Sequence, residues 1–331
     1  MKKVIVIVLV VGLVSVGLVF GRGLFKSTTP FHTRNNETLI FSSDEAVIAT
    51  AVRNDGIYLW DAKENTLLKR LQGSDMARPL AFHPNGSLLA VQQDMFARWY
   101  ADGRKAQMWH NARKRSSMIS AAYCQDGSLL AILNGSAREN TLEVVSQYDS
   151  EILLTIHGVT HYTWCQQDLI AVAVGDSVQL WDANAGVKIK DYPRQSGKIA
   201  GLCFFDGFRQ EVVSYSDTGD IYLWGTSPDD RRRERKGLPH ANIGSIAYGT
   251  LRTWGDTPQY LAAATNDAVK IWRFYGGELQ ELPVVVDKLW SKHQFYSRLS
   301  PKAGYTTVYR YSEGNGHTLH LLKVAYTVPK S

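Results

Sequence analysis

Residues 55–65 read DGIYLWDAKEN, and close variants return at 176–186 (DSVQLWDANAG), 218–230 (TGDIYLWGTSPDD) and 266–277 (NDAVKIWRFYGG). Four times an Asp precedes a Trp by five residues: Asp55/Trp60, Asp94/Trp99, Asp176/Trp181 and Asp267/Trp272. Between each such pair lies a short run of aliphatic and aromatic residues, with Asp, Gly and Asn at its borders. This is the composition of a β-strand between two turns. A rule repeated down a chain at this scale identifies a repeat architecture, in which each unit covers its neighbours.

The remainder of the chain fits the same period. Sequence 81–91 (AFHPNGSLLAV) aligns with 122–132 (AYCQDGSLLAI). Their Asn-Gly and Asp-Gly pairs supply the positive φ of a tight hairpin. Third-strand ends fall near 60, 99, 145, 181, 224, 272 and 321, about 40 residues apart, the size of a four-stranded propeller blade. No amphipathic helix interrupts the pattern. The expectation is an all-β protein, a β-propeller of seven four-stranded blades over 38–328. Its last sheet takes a fourth strand either from 326–328 or, preferred here, from 31–35 at the other end of the chain.

The LWD tripeptides at 59–61 and 180–182, the upstream Asp and the HPNGSLLAV hairpin resemble WD40 repeats. The resemblance spans about 290 residues. It departs from the pattern in having no Gly-His at the start of a repeat and no Trp in two units. The resemblance implies a structural tetrad, best matched by His240, Thr265, Asp267 and Trp272. Thr50, Asp55 and Trp60 form a partial set. Asp94, Trp99, Asp176 and Trp181 occupy the same repeat positions. All of these are read as structural, none as catalytic.

The first residues are a separate matter. Lys2 and Lys3 precede the uncharged run 4–20, and Arg22 and Lys26 close it. At about 1.5 Å per residue the run spans roughly 25 Å, slightly short of a bilayer core, a difference that snorkelling flanks can make up. It reads as an N-terminal hydrophobic helix within a signal-anchor at 1–26, followed by a juxtamembrane linker at 27–37. The alternative is a signal peptide, which would leave a secreted or periplasmic protein. Lysines ahead of the run keep the N-terminus inside and place the propeller on the extracytoplasmic side.

The chemistry-bearing residues are sparse. The net charge of +6 is too diffuse to indicate a nucleic-acid partner, and 44% apolar residues suffice for several stacked cores. Cys124, Cys165 and Cys203 are far apart and outside any CxxC, so they read as buried thiols. No nucleophile elbow, zinc-protease, phosphate-loop or dinucleotide motif occurs, and no cofactor is expected. His157 and His161 lack a third ligand nearby. Asn36, Asn85 and Asn134 each begin an N-x-S/T sequence.

The expected function is a non-enzymatic scaffold binding a protein through one face. That face carries the blade-to-blade connections and the turns between second and third strands, with Met76, Arg78, Gln93, Met95, Arg138 and Tyr162 as candidate contacts. Arg231, Arg232, Arg233, Arg235 and Lys236 align with outer strands. They read as a solvated edge that discourages aggregation, or as a patch for anionic lipid headgroups. The competing expectations are a carbohydrate- or lipid-surface binder using Trp254 and this basic edge, and an enzyme with a site in the central channel.

Overall fold

The computed structural model describes residues 31–32 and, with gaps, 39–325, and side chains, with gaps, over 40–227. The described backbone forms seven four-stranded antiparallel sheets. The chain opens with β1 (Phe31–His32). Sheet 1 holds β2 (Leu39–Phe41), β3 (Val47–Val52), β4 (Gly56–Asp61) and β5 (Leu67–Arg70). Sheet 2 holds β6 (Arg78–Phe82), β7 (Leu88–Gln92), β8 (Met95–Trp99) and β9 (Lys105–His110). Sheet 3 follows with β10 (Ser117–Tyr123), β11 (Leu129–Gly135), β12 (Thr141–Ser146) and β13 (Ile152–His157).

Sheet 4 consists of β14 (Val159–Trp164), β15 (Leu169–Val174), β16 (Ser177–Asp182) and β17 (Val187–Asp191). In sheet 5 the strands are β18 (Ile199–Phe205), β19 (Glu211–Ser216), β20 (Asp220–Gly225) and β21 (Arg233–Gly237). Sheet 6 contains β22 (Ile243–Thr250), β23 (Gln259–Thr265), β24 (Val269–Tyr275) and β25 (Glu278–Leu282). Sheet 7 contains β26 (Phe295–Ser300), β27 (Tyr305–Ser312) and β28 (Thr318–Ala325), and its fourth place is filled by β1.

That last pairing, Phe31 with Leu319 and His32 with Thr318, agrees with the preferred closure from the start of the chain. It draws part of the expected linker into a sheet. Residues 1–30, which hold the expected hydrophobic helix, and residues 326–328 lie outside the described residues. No helix long and apolar enough to cross a membrane occurs among the described residues.

First strands of successive sheets pack together, as β14 does on β18 and β18 on β22. The register carries a repeated irregularity. In β6, β10, β14, β18 and β22 one residue is skipped after the first or second paired position, at Leu80, Ile119, Thr160, Ala200 and Gly244. Such bulges bend and twist a strand. A second bulge falls in the outer strand opposite the end of the third, at Leu68, Ala106, Leu153 and Ile189.

Between sheets lie continuous apolar layers. Ala171, Val178, Leu180, Tyr192, Val212, Tyr222 and Trp224 are buried together between sheets 4 and 5. Trp224 stacks on Tyr222 at 5.4 Å and 9°. Alternate residues of one strand serve two neighbouring layers, which is why the middle strands read as nearly unbroken apolar runs.

Four outer strands extend beyond the sequence expectation: β9, β13 and β25 had no predicted counterpart, and β21 had only an aligned basic run. As outermost strands each has one unpaired edge, and the sequences of β9, β21 and β25 (KAQMWH, RERKG and ELQEL) lack strict apolar alternation, so the period-two signal is weak there.

Candidate interaction faces

We call lower the face bearing the turns between first and second and between third and fourth strands. The opposite, upper face carries the turns between second and third strands and the connections between sheets.

The repeat Trp residues are positioned by polar relays. Trp60 Nε1 donates to Thr50 Oγ1 at 2.9 Å. In sheet 5 the relay is longer and buried: Trp224 Nε1 donates to Ser214 Oγ at 2.8 Å, and Ser214 donates to Gln195 Oε1 at 2.6 Å. Ser214 is fully buried. In both relays the hydroxyl stands two residues beyond the cross-strand partner of the Trp, which is Ile48 for Trp60 and Val212 for Trp224. Ala90 and Val172 take that place for Trp99 and Trp181. Their indoles donate elsewhere, to Gln72 O at 3.0 Å and to Gln179 Oε1 at 3.1 Å.

For Trp272 the partner is Leu261, so the equivalent position is Ala263, with Thr265 two residues further along. His240 and Asp267 lie outside the described residues, as do the side chains of Thr265 and Trp272. The sequence reading did not single out Gln195 or Ser214. The detectable signal was the ten-residue spacing shared by Thr50/Trp60 and Ser214/Trp224.

The repeat aspartates tie upper-face turns. Asp55 accepts a hydrogen bond from Tyr58 Oη at 2.6 Å and pairs with Arg70 at 3.3 Å, rather than joining the Trp60–Thr50 bond. Arg70 also pairs with Asp75 at 2.6 Å. Asp176 pairs with Arg194 at 3.5 Å. Asp94 lies outside the described residues.

The candidate contacts separate into two groups. Met76 is 61% exposed with φ of 60°, at the crest of the connection from sheet 1 to sheet 2. Gln92 Nε2 holds this crest by donating to Gly73 O at 3.1 Å and Asp75 O at 2.7 Å. Left-handed backbone costs a residue with a Cβ about 1–2 kcal/mol, so the loop holds Met76 outward against a local preference. Arg138 is exposed on the turn after β11.

Arg78 and Tyr162, by contrast, are partly buried in strands. Arg78 donates to the carbonyls of Met118 and Ile119, linking β6 to β10, and burial lowers its pKa. The Tyr162 hydroxyl accepts a hydrogen bond from Ser120 Oγ at 3.4 Å, and burial raises its pKa. Met95 opens β8 and is half-buried; Gln93 lies outside the described residues.

On the lower face, Gly86 and Gly127 take φ of 84° and 81° in their turns. The Asp126 carboxylate accepts from Ser128 N at 2.9 Å and Ser128 Oγ at 2.6 Å. The hydroxyl bond first, then one from Cys124 Sγ at 3.0 Å and the backbone bond, bring its pKa down to about 2. The imidazole of His83 lies against Gly127, where a Cβ would come within 2.3 Å of Nε2.

Cys124 and Cys165 are buried, Cys203 is partly buried, and all three are free. Burial raises the pKa of each thiol. His157 pairs with Glu139 at 3.3 Å, while His161 Nδ1 is buried with no hydrogen-bond partner. No group of three or more His, Cys, Asp or Glu able to hold a metal occurs among the described residues. The backbone of Arg233, Arg235 and Lys236 lies in β21, the outermost strand of sheet 5. Arg231, Arg232 and Trp254 lie outside the described residues.

The likeness to known proteins is one of shape. The β-propeller domain of Cps50 (Swd1) from Myceliophthora thermophila superposes with a TM-score of 0.65 at 13% identity, covering 90% of this chain and 99% of that one. The RRP9 WD40 repeats give 0.61 at 14% identity over 89% of this chain and all of that one. U3-55K gives 0.59 at 14% identity, over 88% of this chain and 100% of that one. No protein-family profile matches the chain. A curated relative, cell division cycle 20.5, cofactor of APC complex, from Arabidopsis thaliana, is 26% identical over 88 residues. That match covers 26% of this chain and 19% of the relative. With the sheet order and registers above, the fold is a WD40-repeat-like β-propeller.

Proposed function

We propose that this protein is a seven-bladed, non-enzymatic propeller that acts as a protein-interaction scaffold, anchored by residues 1–26 with the propeller outside the cytoplasm. The observation that carries the scaffold reading is Met76, displayed at 61% exposure on a left-handed backbone and braced by Gln92 and Asp75. Flexible, polarisable Met side chains suit protein-binding surfaces. Arg138 adds an exposed cation on the same upper face, and Met and Arg are enriched at interfaces. Ser214 and Trp224 are engaged in a buried structural relay, and Asp55 ties an upper turn. The compared proteins contribute the fold, and extending a scaffold role from it is analogy.

A second reading rests on β21. Its Arg233, Arg235 and Lys236 lie on an outermost strand, a position open to anionic lipid headgroups. Affinity isolation of the full chain from detergent-solubilised membranes, beside an M76A/R138A variant, separates the two. One protein recovered in stoichiometric amount with the native chain and lost with the variant supports the scaffold. Recovery of lipid alone, abolished by reversing the β21 charges, supports the second reading and contradicts the first.

A further inference from the structure

Nine large apolar side chains are exposed among the described residues, and seven of them lie at one end of the sheets. Tyr100 and Tyr148, 53% and 88% exposed, sit on the lower turns between third and fourth strands in the adjacent sheets 2 and 3. Leu67, Leu68, Ile152 and Val187 occupy the lower ends of the outer strands β5, β13 and β17, and Ile189 follows at the bulge of β17. Their registers place Leu67 opposite Trp60, Ile152 opposite Val145 and Val187 opposite Asp182, at or next to the ends of their third strands. The other two are Met76 on the upper face and Ile119 at the bulge of β10. Scattered exposed apolar residues are ordinary, whereas a one-sided band marks a contact surface.

The entry of the chain points the same way. β1 is antiparallel to β28 and pairs with its first residues, Thr318 and Leu319, at the upper end. The N-terminal end of β1, at Phe31, therefore faces the lower side. Residues 21–30 separate the apolar run 4–20 from Phe31, and fully extended they reach at most about 35 Å. From Leu319 to the lower end of β28 at Ala325 is roughly 20 Å of strand at about 3.3 Å per residue, which leaves some 15 Å below the lower face. On the anchored reading proposed above, the bilayer then lies close beneath that face.

We infer that the lower outer rim of sheets 1–4 rests on the surface of the membrane that holds the N-terminal segment. Tyr100 and Tyr148 lie at headgroup level, and the upper face with Met76 is directed away. Tyrosine suits this position because its ring is apolar and its hydroxyl stays wet. Around the rim Lys69, Arg104 and Lys188 stand among Asp102, Asp149, Glu151 and Asp182. Such a mixed surface fits zwitterionic rather than strongly anionic headgroups.

The test uses the full chain reconstituted in phosphatidylcholine vesicles. A cysteine is introduced by Y148C or by M76C and labelled with an environment-sensitive fluorophore. Burial keeps Cys124, Cys165 and Cys203 as protonated thiols, which suppresses background labelling. Doxyl-labelled lipid is expected to quench the label at 148 severalfold more than the label at 76. Equal quenching, stronger quenching at 76, or none at 148 while the chain resists alkaline extraction overturns the orientation and leaves the anchor standing. Release of the chain by alkali overturns the anchor and the orientation together.

Discussion

Removing one hydroxyl, in Ser214→Ala, tests the relay argument at its most buried point. Ser214 accepts from Trp224 Nε1 at 2.8 Å and donates to Gln195 Oε1 at 2.6 Å, with Trp224 1% and Gln195 6% exposed. The substitution strands a donor and an acceptor where water has no entry, at about 1–3 kcal/mol for each buried unsatisfied group. We expect a loss of about 3 kcal/mol, or roughly 5 °C in the unfolding midpoint for a domain of this size. Thr50→Ala is the control: Trp60 is only half-buried, so water replaces the lost acceptor and the cost falls to about 1 kcal/mol. The assay is thermal unfolding of the full chain in detergent, extended to the pair Ser214→Ala and Trp224→Phe. The double variant should lose less than the sum of the two singles, because both remove the same bond. Strict additivity, or equal losses for Ser214→Ala and Thr50→Ala, would refute the reasoning.

Other substitutions probe the turns, a desolvated histidine and the upper crest. Gly127→Ala should cost about 1–3 kcal/mol more than Gly86→Ala by denaturant titration. Both glycines have positive φ, but only at Gly127 does a new Cβ meet an imidazole, while Gly86 faces Ala101 at 3.5 Å. Burial lowers the pKa of His161, so the folded state resists its protonation. Its contribution to stability should be complete above the ordinary histidine pKa of about 6.5 and decline as pH falls from there toward the lowered value. His161→Phe should flatten that decline in unfolding midpoints measured from neutral to acidic pH. The slope should persist in part, because His83 is also lowered, chiefly by burial. Met76→Gly relieves the left-handed backbone and should leave thermal stability unchanged or raised by about 1 kcal/mol while weakening partner capture. A drop in stability would show that Met76 packs rather than presents.

The repeat period was legible because it rests on turn chemistry and strand composition. Asp126-Gly127 forms the lower turn of sheet 3, and the third strands end at or one residue past Trp60, Trp99, Trp181 and Trp224, as their pattern suggests. The closing strand was legible because the last sheet lacked a fourth member and 31–35 could supply it. The outer strands β9, β13 and β25 were not, since an unpaired outer edge imposes no strict alternation on Lys105–His110 or Glu278–Leu282. The polar relay in sheet 5 escaped because Gln195 does the work that the WD40 resemblance assigns to a His. Exposure at particular residues also needed the structure. Arg78 reads as a surface cation until its guanidinium is seen across two inner strands.

The measurement that bears most directly on the account is photo-crosslinking in native membranes. The full chain would carry a photoactivatable residue at position 76 in one version and at 148 in another. An anchored scaffold with its upper face turned outward predicts one discrete protein adduct from position 76 and lipid adducts from position 148. Protein adducts from 148 with none from 76 would contradict it, placing the partner on the lower face and removing the role proposed for the membrane.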